Sequence, residues 1–188
     1  MKKHKRTKQI ALIALFAAAA AGLSQISMYL PFSPVPFSMG IVAVFIAGLL
    51  LNPVSAFLSL LVYLIIGAAG APVFSGFRGG FSVLIGPTGG FLFAYPVMAF
   101  FISFCVLFVE KTLKKRLSVV SAFIILTLSM VICYAGGAGY LSIHTGSFAT
   151  ALKLSVYPFV AFDLIKIVLS SLLLPYIRKI LYRTASAR

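Results

Sequence analysis

Asp163 and Lys166 are the residues of this chain best placed to do chemistry. Asp163 is one of only two acidic residues in 188, and Lys166 follows three positions later in a run that is otherwise uncharged from Tyr157 to Ile177. Three residues apart on a helix, both side chains lie on one face. An ionisable residue in an apolar segment of this kind is costly and marks a substrate or ion site facing a bundle interior or cavity. The plainer alternative is an internal salt bridge that locks helices together. A carboxylate offers only acceptors and an ammonium only donors. A ligand that satisfies both presents N–H groups beside a carbonyl, as an amide, urea or lactam does; an amino-acid zwitterion also fits. Tyr157, Phe159 and Phe162 can supply apolar walls for a ring. Arg78 can meet a ligand carboxylate or, equally, lipid headgroups.

Other chemistry has little to work with. The sequence contains no G-x-x-x-x-G-K-[ST], H-E-x-x-H or G-x-S-x-G. Gly86-Pro87-Thr88-Gly89-Gly90 shares only its glycines with a phosphate loop. His4 and His144 have no carboxylate nearby in sequence, and His144 reads as a loop residue. Cys105 and Cys133 fall inside apolar runs without metal or redox spacing and read as small buried thiols. No metal site and no cofactor is expected.

The elements that position the pair follow from composition. With 62% hydrophobic residues, a mean hydropathy of +1.13 and 10% charged residues, most of the surface must be solvated by lipid. The formal charge of +14 suggests nucleic acid, but the basic residues cluster between apolar runs, as in cytoplasmic loops and tails of membrane proteins. We expect a single all-α domain over residues 1–188, a bundle of six transmembrane helices. A basic tail (1–8) precedes an apolar helix from Ile10 to about Tyr29. Pro31, Pro34 and Pro36 end it. The stretch from Phe37 to Ala69 is too long for one crossing, at roughly 50 Å against a core of ~30 Å, and splits at Asn52-Pro53. A glycine-rich connection over residues 67–90 reads as a lid, since irregular backbone near a membrane must line a cavity or be covered. Helices follow at about Phe91–Phe108, Val119–Leu141 and Pro158–Leu181, with a polar connection at His144–Thr150 and a basic tail at 182–188. Ala14, Ala18 and Gly22 recur at i, i+4, i+8 and allow close approach of another helix, in a partner or in the same bundle.

Both termini inside places five basic residues of the N-terminal tail, four of the Lys111–Arg116 loop (Lys111, Lys114, Lys115, Arg116) and four at the end of the last helix and in the tail beyond it (Arg178, Lys179, Arg183, Arg188) on the cytoplasmic side, thirteen of sixteen. Residues 67–90 are then external. Asp163 lies about 8 Å and Lys166 about 12 Å into the membrane at 1.5 Å per residue.

Several stretches are similar to one family. Ala71-Pro72-Val73-Phe74, Gly79-Gly80 and Leu84-Ile85-Gly86-Pro87-Thr88-Gly89-Gly90-Phe91 resemble the central signature of the biotin-specific S components of energy-coupling factor transporters. Asp163-Leu164-Ile165-Lys166 resembles that family's last-helix motif and Pro34-Val35-Pro36-Phe37 its opening loop. Where the family pattern leads one to expect Pro-Gly before the aspartate, this chain has Ala161-Phe162. The resemblance implies a prokaryotic plasma-membrane subunit that captures biotin from outside. It also implies partners: a transmembrane coupling subunit and two ATPases. Asp163 and Lys166 carry over as substrate-binding residues, with Gly89 and Gly90 of the signature, Arg78 and Tyr157 as further candidates. The face of Ala14, Ala18 and Gly22 resembles the patch that docks on the coupling subunit. The rival reading is a solitary or ion-coupled carrier that uses Asp163 as its proton or ion site.

Overall fold

The computed structural model describes residues 2–112, 114 and 117–186, and the side chains of 6–111, 114 and 117–179. Lys115, Arg116 and Arg188 of the expected basic clusters lie outside the described residues. Among the described residues, the regular structure is helical apart from one small hairpin. In order it forms α1 (Lys2–Ser24), β1 (Ser27–Met28), β2 (Phe37–Ser38), α2 (Gly40–Leu50), α3 (Pro53–Ala68), α4 (Phe81–Ile85), α5 (Gly89–Leu107), a π-helical turn (Phe108–Thr112), α6 (Val119–Thr145), α7 (Phe148–Ser155) and α8 (Val160–Ser186).

Four helices among the described residues are long and apolar enough to cross a membrane: Arg6–Ser24, Gly89–Lys111, Val119–Thr145 and Val160–Lys179. Gly40–Leu50 and Pro53–Ala68 are apolar but shorter. Large apolar side chains such as Leu15, Ile65, Phe104, Val131 and Leu172 lie on the outside, as a lipid-solvated exterior requires. α5 packs against α2, α3 and α6, and α8 packs against α2 and α6. The core between them holds Phe45, Leu60, Tyr63, Met98, Ile102 and Leu126, all fully buried.

The break at Asn52-Pro53 falls as expected. Asn52 Oδ1 accepts from the Ser55 N–H at 3.0 Å and Pro53 occupies the first helical position, where a missing N–H costs nothing. Other boundaries differ from the sequence reading. α1 takes in the basic tail and ends at Ser24 rather than Tyr29, because Ser27 and Met28 pair antiparallel with Ser38 and Phe37. Residues 67–90 are not one open loop. Phe74 and Leu84 are buried, Phe74 and Arg78 exchange backbone hydrogen bonds of 2.9 and 3.2 Å, and α4 occupies residues 81–85. His144 lies on α6, not in a loop: the helix outlasts its apolar run and stops at Gly146, which takes a left-handed φ of 71°. The polar connection expected after it contains α7.

The second acidic residue, Glu110 in the π-helical turn, pairs with Arg178 of α8. Arg178 also approaches the Leu49 carbonyl oxygen at 3.4 Å. This ties α2, α5 and α8 together at the end of the bundle away from Asp163.

Candidate ligand-binding site

α8 starts at Val160, so Asp163 sits in its first turn, where the helix N-terminus favours a negative charge. Lys166 Nζ lies 2.9 Å from Asp163 Oδ1. The same ammonium donates to the Ser38 carbonyl oxygen at 2.8 Å and stands 3.9 Å from the centre of the Phe37 ring, a cation–π contact. Tyr134 of α6 donates its hydroxyl to Asp163 Oδ2 at 2.7 Å. Asp163 is 7% and Lys166 4% exposed. Burial of two charges demands this degree of satisfaction: an ion pair taken out of water is tolerated when further hydrogen bonds and ring contacts serve its remaining donors and acceptors.

The β1–β2 hairpin delivers the Ser38 carbonyl and the Phe37 ring. Ser38 Oγ accepts from the Gly40 N–H at 3.1 Å, which turns the chain into α2 directly after the carbonyl has been aimed at Lys166. Phe162, next to Asp163 in the chain, packs edge-on against Phe37 at 5.4 Å and steadies the aromatic face under the ammonium.

Two hollows adjoin at this point. One, of about 430 Å³, is lined by Asp163, Lys166, Tyr134 and Cys133 among others. The second, of about 420 Å³, is lined by Arg78, Ser75, Tyr29 and Thr88. They share Val35, Pro36, Ser38, Phe91 and Tyr95 as walls. The arrangement thus has a charge pair at one end, an exposed arginine at the other, and mainly apolar walls between, the mixture of surfaces typical of small-molecule pockets.

The structure brings Asp163, Lys166 and Arg78 to this pair of hollows. Tyr157 is 65% exposed and lines neither. Gly89 and Gly90 also line neither. A Cβ on Gly90 would collide with the Tyr140 side chain and the Gly136 carbonyl, so Gly90 lets the start of α5 close on α6 and sets the wall one turn away. Ala14, Ala18 and Gly22 are exposed, while Ala17, Ala20 and Ser24 face inward. The small-residue face is therefore free on the surface and is not packed inside the bundle. His144 Nε2 lies 3.1 Å from the Ile85 carbonyl oxygen, at the end of α4.

Tyr134, Phe37 and the Ser38 carbonyl were not singled out by sequence as partners of the charges. A tyrosine within an apolar helix was the available signal for Tyr134, since its hydroxyl needs a partner when buried. Nothing in the sequence marks a backbone carbonyl 128 residues away from Lys166.

An all-helical fold with several membrane-length helices and a buried charge pair on the last of them defines a multi-pass membrane protein with a polar site inside its bundle. The BioY family description matches residues 1–183, and the chain belongs to that family. It is 34% identical over 161 residues to the probable biotin transporter BioY of Pyrococcus horikoshii, covering 86% of this chain and 90% of that one. It is 35% identical over 168 residues to biotin transporter BioY2 of Lactococcus lactis, covering 89% and 88%. Its structure is similar to the crystal structure of the S-component for biotin from an ECF-type ABC transporter, with a TM-score of 0.84, 26% identity and 95% of each chain covered.

Proposed function

We propose that this chain is the biotin-binding S component of an energy-coupling factor importer. The observation that carries the reading is the pair of adjoining hollows, with the Asp163–Lys166–Tyr134 group in one and Arg78 in the other. Biotin is polar at both ends and apolar between. Its ureido ring offers two N–H donors and a carbonyl to the carboxylate and the ammonium. Its thioether ring and aliphatic chain suit walls such as Phe91, Val35 and Tyr95, and its carboxylate reaches Arg78. Each Asp163 oxygen accepts one hydrogen bond and keeps a further lone pair for a ligand N–H, while the ammonium, engaged by Asp163, the Ser38 carbonyl and the Phe37 ring, gives up its ring contact to meet the ureido carbonyl.

The transport role adds several elements. The protein is a multi-pass membrane subunit. In this reading α1, α2, α3, α5, α6 and α8 make six crossings with both termini cytoplasmic, and the shorter α2 and α3 are adjacent in the bundle. Residues 67–90 lie outside and act as the lid. The free face of Ala14, Ala18 and Gly22 docks on a transmembrane coupling subunit, and two ATPases supply the energy for release inside.

Calorimetry on the purified protein tests the reading without its partners. Biotin should bind in the absence of ATP. A biotin analogue with the ureido ring opened to a diamine, which lacks the carbonyl, should bind at least 100-fold more weakly, or about 2.7 kcal/mol. Equal affinity for the two would remove the ureido ring from the charged end.

A further inference from the structure

The carboxamide of Gln25, just past the end of α1, is spent almost entirely on the backbone of the turn that carries Arg78. Its Nε2 donates to the Val73 carbonyl at 3.0 Å, with the Pro72 carbonyl at 3.4 Å and its own Ala21 carbonyl at 2.9 Å. Its Oε1 accepts from the Phe77 N–H at 2.9 Å. One side chain thus spans both arms of the turn. Tyr29, four residues on, donates to the Ser75 carbonyl at 3.0 Å, and a Cβ on Gly76 would come within 2.9 Å of its ring.

The turn needs such a fastener. It reverses direction through Gly76 and Phe77, whose φ values are 73° and 57°, and a phenylalanine in that region is strained. Phe77 is 72% exposed, so packing does not hold it there; its N–H bond to Gln25 does. On one side the turn is anchored by Phe74, which is buried edge-on against Tyr63 at 5.4 Å. On the other side Arg78 is exposed, with no hydrogen-bond partner for its guanidinium among the described residues, and lines the hollow.

We infer that Gln25 is a positioning residue: by clamping residues 72–77 it holds Arg78 over the outer hollow, where the guanidinium meets the ligand's carboxylate. The inference rests on the assignment of the two adjoining hollows to biotin. It separates Gln25 from the charged end, because the amide touches only the turn and α1.

The test uses the full chain with Gln25→Met, which keeps the side chain's length and removes its donors and acceptor. Binding is read against biotin and against biotinamide, whose neutral end does not need Arg78. Hydrogen exchange is followed in the peptide covering residues 72–80. Exchange there should rise at least tenfold without ligand, biotin affinity should fall about tenfold, and biotinamide affinity should change less than twofold. Unchanged exchange, or equal losses for the two ligands, would overturn the positioning role. If wild-type protein bound neither ligand, the biotin assignment would fail, while the exchange measurement would still decide whether Gln25 fastens the turn.

Discussion

The charge pair works as a group of four contacts rather than as two residues. Lys166 satisfies Asp163 Oδ1, Tyr134 satisfies Oδ2, and the ammonium is completed by the Ser38 carbonyl and the Phe37 ring. Hydrogen bonds to charged groups contribute more than neutral ones, so Tyr134→Phe should lower the stability of the purified protein by about 1.5–3 kcal/mol, measured by denaturant unfolding. A stability equal to wild type would mean that the hydroxyl only fills space. The pair itself was legible because charge in an apolar run is conspicuous. Its partners were not: a tyrosine hydroxyl and a peptide carbonyl carry no charge, and they are brought to α8 from α6 and β2 by packing alone.

Among the elements, the two faces of α1 have different fates. Ala17, Ala20 and Ser24 pack inward, and Ser24 Oγ lies 3.0 Å from the Tyr63 hydroxyl, whereas Ala14, Ala18 and Gly22 face out. A bulky residue on the outer face meets no neighbour within this chain, and surface changes of that sort alter stability by little, about 0.5 kcal/mol. Ala14→Trp or Ala18→Trp should therefore abolish uptake in cells while purified protein binds biotin as before; loss of binding as well would place this face in the protein's own fold. Element boundaries were legible wherever local chemistry sets them, as at Asn52-Pro53 with its cap and N-terminal proline. They were misread where polarity was taken as loop. His144 and Thr145 continue α6 because a membrane helix can extend past its apolar stretch, and residues 67–90 contain α4 because Phe74 and Leu84 anchor that segment into the core.

At the scale of the molecule, the two acidic residues mark opposite ends of the bundle. Asp163 opens onto the hollows, and Glu110 with Arg178 ties α2, α5 and α8 at the other end. In the proposed orientation the Glu110 end lies inside, as the preference of cytoplasmic loops for Lys and Arg leads one to expect from the thirteen clustered basic residues. Impermeant thiol reagents added to intact cells, on a background with Cys105 and Cys133 replaced, should label Lys153→Cys and leave Lys114→Cys unlabelled until the membrane is opened. The reverse pattern would turn the hollows toward the cytoplasm and refute capture from outside. Apolar length was enough to reveal a multi-pass fold. How the hairpin and the 72–78 turn meet at the hollows depends on contacts between distant segments, which no local pattern records.

On the proposed function, Asp163 and Lys166 hold the ligand. Calorimetric titration of purified wild type, Asp163→Asn and Lys166→Met with biotin tests it most directly. Removing one partner of a buried, hydrogen-bonded charge pair should cost about 2–5 kcal/mol of binding free energy in each variant. If both variants bound biotin within about 1 kcal/mol of wild type, below the range expected for such a pair, the pair would be a structural lock and the ligand would lie elsewhere.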